Sequence, residues 1–389
     1  MSTIKVQNIQ HTASSTNAIA LASDGTATAN LTNRQGKNLV VNGAMNVAQY
    51  GSSMATGDGF AVDRFKLEIN GTNENPTLTQ ADVASGTTPY TLGFRKSWKV
   101  QNGNQTGGAG TTDRIQMQYR FEAQDIANSG WNYTSSSSYI TLQFWVKSSV
   151  AQNFYGVFQT ADGTAQNYPF ETGSLTADTW TKVTKTISGN SNLTFDNNNE
   201  EGLKLELHMF KGTDYTASSV TLNAWAAYAS GTRTPDQTST WYTTNDATFE
   251  ITGVQLEVGS VATDFEHRSF AQELDLCKRY CQVIAKHNSH GNGHVYIGTG
   301  YSYGTSQPEI ILRWEKEMRS TPSLIQGTGT NYFQFSISGQ SANMTSWNAY
   351  QFSTLSGLLY SSATGLTNGR SYRGITNNVG AYLILSAEL

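Results

Sequence analysis

Three stretches of this sequence place apolar residues at every second position. In DRIQMQYRF, Ile115, Met117, Tyr119 and Phe121 alternate with Gln116, Gln118 and Arg120. In YITLQFWVK, Ile140, Leu142, Phe144 and Val146 alternate with Thr141, Gln143, Trp145 and Lys147. GLKLELHMF sets Leu203, Leu205, Leu207 and Met209 against Lys204, Glu206 and His208. A period of two puts each set on one face of a β-strand, whereas a helix turns through 3.6 residues and scatters it. One face of each strand is therefore core, and the other carries Gln, Arg, Trp, Glu and His.

The rest of residues 38–265 follows the same rule more loosely. NLVVNGAMNV, VDRFKLEI, FRKSWKVQN, QNFYGVFQT, TWTKVTKTIS and ATFEITGVQLE read as strands between Gly-, Asn- and Ser-rich connections. Many strands of similar length with polar turns predict a jelly-roll β-sandwich, here over residues 38–266. Ahead of it, residues 1–37 are polar, with Asp24-Gly25 between two short alternating runs as a hairpin signal. So small a segment makes no core of its own, and it is expected to dock on a second copy or a larger assembly.

After the sandwich, Ser269-x-x-Gln272 is a capping-box pattern. It precedes Phe270, Leu274, Cys277, Cys281 and Ile284 at steps of four and three, which predicts a linker helix of about four turns over 267–288. Strand patterns return in HVYIGTGYSYG, PEIILRWEKEM, NYFQFSISG and GAYLILSAEL. They predict a second β-domain over 289–389. The fold class is thus all-β, a jelly roll and a C-terminal β-domain joined by one α-helix.

Composition narrows function by exclusion. Charged residues are 14% of 389 and the net charge is -4. Nucleic-acid binding needs clustered Lys and Arg, and no basic run occurs. No apolar run approaches the roughly 20 residues that span a bilayer, and MSTIKVQNIQHTASS lacks the apolar core of a secretory signal. Synthesis in a cytoplasm is expected. Two cysteines do not make a disulfide scaffold.

Residues 251–282, ITGVQLEVGSVATDFEHRSFAQELDLCKRYCQ, resemble a segment of bacteriophage tail-fibre and other virion structural proteins. NLVVNGAMNVAQYG with VDRF, EKEMRSTPSLI and the ending LILSAEL are similar to other parts of that family. The N-terminal stretch resembles the leaders of marine phage fibre-like proteins. The resemblance implies a virion appendage made in the host cytoplasm, a homotrimer, attached to other virion proteins through its N-terminal segment. It also implies a jelly roll like that of carbohydrate-binding modules, with Trp180 as a core or near-core anchor. Such modules hold a structural calcium with an acidic residue in the last strand. Here EITGVQLE has Thr252 and Gly253 at its middle, so no cofactor is predicted.

The polar face of the jelly roll is the candidate glycan-binding site. Sugars stack their C–H patches on aromatic rings, and their hydroxyls bond amides and charged groups; Gln116, Gln118, Arg120, Gln143, Trp145, Glu206 and His208 supply those types. The alternative is that this face packs on another subunit or a long loop. Cys277, Cys281, His287, His290 and His294 could ligate zinc, but both Cys lie on an apolar stripe, where thiols act as small hydrophobes, and no metal is expected. Glycoside hydrolysis takes two carboxylates across a cleft. Asp and Glu are scarce on the strands, and no G-x-S-x-G or H-E-x-x-H occurs, so no enzymatic activity is expected. The function expected is host-surface glycan recognition, with a purely architectural virion role as the alternative and a polysaccharide depolymerase behind both.

Overall fold

The computed structural model describes residues 6–10, 12, 19–21, 27–29, 36–55, 57–287 and 293–389. Two antiparallel sheets face each other in the jelly roll. One has six strands in the order Thr181–Ser188, Tyr139–Ser148, Thr248–Val258, Lys96–Gln101, Thr77–Asp82 and Ser53–Met54. The other has seven, in the order Ala226–Ala227, Gln166–Ser174, Asn153–Thr160, Glu201–Lys211, Arg114–Glu122, Phe65–Asn70 and Gly59–Val62. The alternation read from the sequence decides which side chains meet. Ile115, Met117, Leu203, Leu205 and Leu207 from one sheet bury against Ile140, Leu142, Phe144 and Val146 from the other. Trp98 and Trp241 complete this core.

The linking helix is shorter than its apolar stripe predicts. It runs Phe270–Cys277, and its capping box forms as expected, with Ser269 Oγ accepting from Gln272 N and Gln272 Oε1 accepting from Ser269 N. After a turn the chain becomes the strand Cys281–Lys286, which pairs with Tyr382–Ser386. Cys281 and Ile284 therefore belong to a sheet, and Phe270 stands 59% exposed. Glu273 and Cys277 form the buried side of the helix instead, with Glu273 Oε1 accepting from Asn42 N. Pairing with a strand about a hundred residues away overrides local helical periodicity here.

The C-terminal domain sets a three-stranded sheet, Cys281–Lys286, Tyr382–Ser386 and Ser323–Gln326, against a seven-stranded one that includes Tyr296–Tyr303, Gln307–Arg313 and Ser371–Thr376. Phe333, Phe335, Trp347, Tyr372 and Leu383 fill the space between. At the amino end, Asn8–Ile9, Ile19–Leu21 and Ala27–Ala29 make a small sheet. Ile19 pairs with Ala29 and Leu21 with Ala27; Asp24-Gly25, where the hairpin turn is expected, lies outside the described residues.

The two large domains share a bonded seam. Arg279 donates to both oxygens of Glu122 at 2.6 Å, and Tyr280 Oη donates to the same carboxylate at 2.6 Å. Burial alone would push the Glu122 carboxyl up; these donors outweigh it and hold it below the usual range. Arg64, fully buried, stacks 3.4 Å above the Tyr280 ring and pairs with Glu388 near the carboxyl terminus. Removing one partner of a buried pair leaves an uncompensated charge, so this seam ties the domains together firmly. No helix among the described residues is long and apolar enough to cross a membrane.

Candidate functional site

The seven residues expected to form one glycan-binding face are split between the two sheets. Gln116, Gln118, Arg120, Glu206 and His208 lie on the outer side of the seven-stranded sheet, whereas Gln143 and Trp145 lie on the outer side of the six-stranded one. They cannot touch one ligand.

The first group is also sealed. Gln116, Gln118, Glu206 and His208 are buried. Cross-strand register sets Gln118 opposite Glu206 and Gln116 opposite His208. Glu206 lies 2.8 Å from Lys211 Nζ, 3.1 Å from Lys204 Nζ and 3.1 Å from His208 Nε2. Glu68 on the neighbouring strand accepts from Arg114 at 2.8 Å, from Gln116 at 3.0 Å and from Gln118. The connection after Lys211 adds Gln237, whose amide is 3.1 Å from His208 Nδ1. Burial alone would raise the Glu206 carboxyl; the Lys211 charge, with His208 and Lys204, outweighs it and holds the group well below the ordinary range. For His208, burial and the Lys211 charge act together and push the imidazole down to about 4. Arg120 is half-buried and engaged by Glu201 at 3.1 Å. Among the four buried side chains only Gln116 Oε1 lacks a partner; they are buried and bonded within the face, and that corrects the expectation that these residues present themselves to a sugar.

The second group sits in an open hollow of about 330 Å³. Beside Trp145 the partner strand Thr248–Val258 carries a bulge: Gln143 pairs with Gln255 and Trp145 with Thr252, which leaves Gly253 and Val254 opposite Phe144. Across the ladder, Trp145 faces Lys182 on one side and Thr252 on the other. Gly253 follows Thr252 with φ of +65°, and a Cβ there would lie 2.7 Å from the Phe94 ring. Only glycine allows that approach together with that backbone conformation. Phe94 forms the buried floor. Phe265 and His267 crowd it, with ring centroids 4.9 Å and 5.1 Å from Phe94. His267 Nε2 is 2.9 Å from the Leu92 carbonyl oxygen, which anchors the ring at the rim. Exposed Lys182 and Asp264 supply one charge of each sign at the mouth.

Trp145 is half-buried and packs against the buried cluster of Ala44, Val83 and Phe94. Gln143 is buried beside it, and its Nε2 donates to the Thr263 carbonyl at 2.6 Å, so it shapes the hollow and is not a free donor. Trp180 also stands on this outer side, half-buried, with Lys147 Nζ 5.1 Å from its ring centroid; it is not in the sandwich core. Sequence reading missed Leu92, Phe94, Lys182, Asp264, Phe265 and His267. One signal was available, a glycine inside the strand ATFEITGVQLE, which marks a close approach.

Among the described residues, no three of the cysteines and histidines weighed for zinc come together. Cys277 and Cys281 are buried free thiols, and burial raises both above the ordinary thiol range. His287 and His294 each turn toward Thr376, at 3.2 Å and 2.8 Å. His290 lies outside the described residues.

No family model and no curated protein matches the chain. Among solved structures, the enzymatically active domain of tailspike protein 4 of bacteriophage CBA120 is 12% identical, covering 56% of this chain and 23% of its own, with a TM-score of 0.28. The N-terminal cellulose-binding domain of Cellulomonas fimi β-1,4-glucanase C is 9% identical over 55% of this chain and 96% of its own, with a TM-score of 0.26. A family 11 carbohydrate-binding module from Clostridium thermocellum, solved with a mixed-linked tetrasaccharide, is 10% identical over 56% and 98%, with a TM-score of 0.25. Likenesses at TM-scores this low identify neither a ligand nor a site.

Proposed function

We propose that this protein is a tail-fibre-like virion appendage that recognises host-surface glycans through the hollow around Trp145. One observation carries the reading: a half-buried indole packs on the buried cluster around Phe94, inside a solvent-open hollow that Phe265 and His267 also line. An aromatic face of this kind takes the C–H side of a sugar ring, and rings fixed beforehand lose little freedom on binding. Lys182, His267 and Asp264 at the rim reach hydroxyls or acidic substituents. Affinity per site is weak for so open a hollow, and a homotrimer raises it by presenting several copies at once. The N-terminal segment attaches the trimer to other virion proteins in this reading.

No reaction is assigned to the hollow. Asp264 is the only carboxylate among its lining residues, and hydrolysis of a glycosidic bond takes a pair.

A purely architectural role is the second reading. It is favoured by the outer side of the C-terminal seven-stranded sheet, where Tyr296, Tyr303 and Ile311 are each more than 60% exposed. Apolar exposure on that scale marks contact surfaces. An array of bacterial surface polysaccharides, probed with the full chain and with Trp145→Ala, separates the two. Saturable binding lost in the variant supports recognition at the hollow. Absence of binding by a well-formed oligomer supports architecture.

A further inference from the structure

The Trp145 hollow has neighbours. A second hollow, of about 310 Å³, is lined by Glu266, Arg268, Gln272, Asp275 and Leu276, and His267 belongs to its wall and to that of the first. A third, of about 460 Å³, shares Gly36, Arg268 and Leu276 with the second and no residue with the first. Shared walls therefore set the three in a row. The third is completed by Gln124, Asp125 and Asn128, on the short helix Ala123–Ala127 and at its end. That helix follows Arg114–Glu122, a strand of the seven-stranded sheet. The row leaves the six-stranded sheet, passes the linking helix and ends beside the other sheet.

The divides between the hollows are held in place. His267 is anchored at the Leu92 carbonyl oxygen. The stretch from Gly36 to Val40 is tied to the chain beside His267. Glu266 accepts from Gly36 N at 2.7 Å and from Asn38 N at 2.8 Å, and Arg268 donates to the Asn38 and Val40 carbonyls. Asp275 and Leu276 lie three and four residues after Gln272, so all three share one side of the helix Phe270–Cys277. Gln272, Asp275 and Asn128 are exposed. Gln272 spends its Oε1 on the capping box, which leaves its amide hydrogens to a ligand. Asp275 holds Lys316 Nζ at 2.5 Å and has lone pairs to spare.

We propose that a neutral polysaccharide chain lies along this row, one ring on Trp145 and further rings past His267 and over Leu276. The inference rests on the reading of the Trp145 hollow and deepens it: the ligand is recognised along its length, and its class is neutral. Length follows from room, since each hollow falls within the roughly 300–1,000 Å³ common to small-ligand pockets. Class follows from charge. Four carboxylates line the row, Asp125, Asp264, Glu266 and Asp275, against two cations, Lys182 and Arg268. An acidic chain would meet a surplus of its own sign. The hydroxyls of a neutral chain donate to those carboxylates and accept from Gln272 and Lys182. Once the first ring is held, each further ring binds as part of the same molecule, so weak contacts accumulate.

The test is a calorimetric titration of the full chain with linear oligomers of glucose, mannose and N-acetylglucosamine. Each is used as a two-unit and a six-unit chain, with hexagalacturonate as the charged control. For the sugar that binds, the six-unit chain is expected to bind about tenfold tighter or more than the two-unit chain, and hexagalacturonate is not expected to bind. Leu276→Trp fills the wall between the second and third hollows. It should bring the six-unit affinity down to the two-unit value and leave two-unit binding unchanged. Asn128→Trp, at an exposed position in the third hollow, should weaken only the six-unit chain, and it keeps the test sound should Leu276→Trp fold badly. Trp145→Ala should weaken both lengths. Equal affinity for two and six units overturns this inference and leaves the Trp145 reading standing. So does a length effect that survives both tryptophan substitutions. Hexagalacturonate bound as tightly as the neutral hexamer overturns the neutral class. No binding in any series overturns the inference together with the reading on which it rests.

Discussion

The outer sides of the two jelly-roll sheets began from the same sequence pattern and ended as opposites. Polar residues alternate with core residues in Arg114–Glu122 and Glu201–Lys211 on one sheet, and in Tyr139–Ser148 on the other. On the seven-stranded sheet the charges find one another: Glu206 with Lys204 and Lys211, Glu68 with Arg114. On the six-stranded sheet a glycine at a bulge leaves room for the Phe94 ring at the base of an open hollow. Polar alternation therefore says which side of a strand is not core. It does not say whether that side is open. A buried ion-pair network spends its polar groups on itself, and what is left for a ligand is the side whose groups have no strong partner.

That contrast can be broken first at Glu206. Glu206→Ala leaves Lys211 and His208 buried without their counter-charge, and loss of one partner of a buried pair costs about 3–5 kcal/mol. Denaturant unfolding should show a loss of that size with glycan binding unchanged in the folded fraction. A loss under about 1 kcal/mol would mean that the network is open to water.

His208 gives a pH version. Its folded value, about 4, lies below the ordinary histidine value of 6.5. Between the two, the unfolded chain binds the proton and the folded chain does not, so stability falls as pH drops from 6.5 to 4. The full shift corresponds to about 3 kcal/mol. His208→Gln should remove that part of the acid loss. Unfolding curves of parent and variant at pH 7 and pH 4.5 test it; equal acid losses in both would place His208 in contact with solvent.

At the hollow the expected stability effects are smaller. Gly253→Ala sets a Cβ against the Phe94 ring in a left-handed backbone conformation, which costs about 1–2 kcal/mol. It should move Phe94 and weaken glycan binding together. Trp145→Ala should cost stability by about 1 kcal/mol while reducing binding about tenfold. If its stability loss exceeds that of Glu206→Ala, the indole serves the core and the contrast between the faces fails.

Much of this fold was legible from residues alone. The inward set Ile115, Met117, Ile140, Leu142, Leu203 and Leu205 is the core, and the Ser269 capping box starts the helix where the pattern says. The helix end was not legible, because Cys281 to Lys286 fits a helical stripe equally well and only its distant partner, Tyr382–Ser386, decides. The candidate site was half legible. Trp145 stood out as a tryptophan on the polar side of its strand. Gln116, Gln118, Glu206 and His208 looked equally available, since their cover is partly the connection carrying Gln237, which has no strand pattern to announce it. Phe94, Phe265 and His267 come from loops that a period of two does not describe.

The most direct test compares the two faces in one experiment. A bacterial surface polysaccharide that binds the full chain is titrated against Trp145→Ala and against Arg120→Ala, the half-exposed member of the sealed face. Binding reduced about tenfold in Trp145→Ala and unchanged in Arg120→Ala is the predicted result. Binding intact in Trp145→Ala and lost in Arg120→Ala would contradict it, and would return the site to the face on which the ion pairs lie.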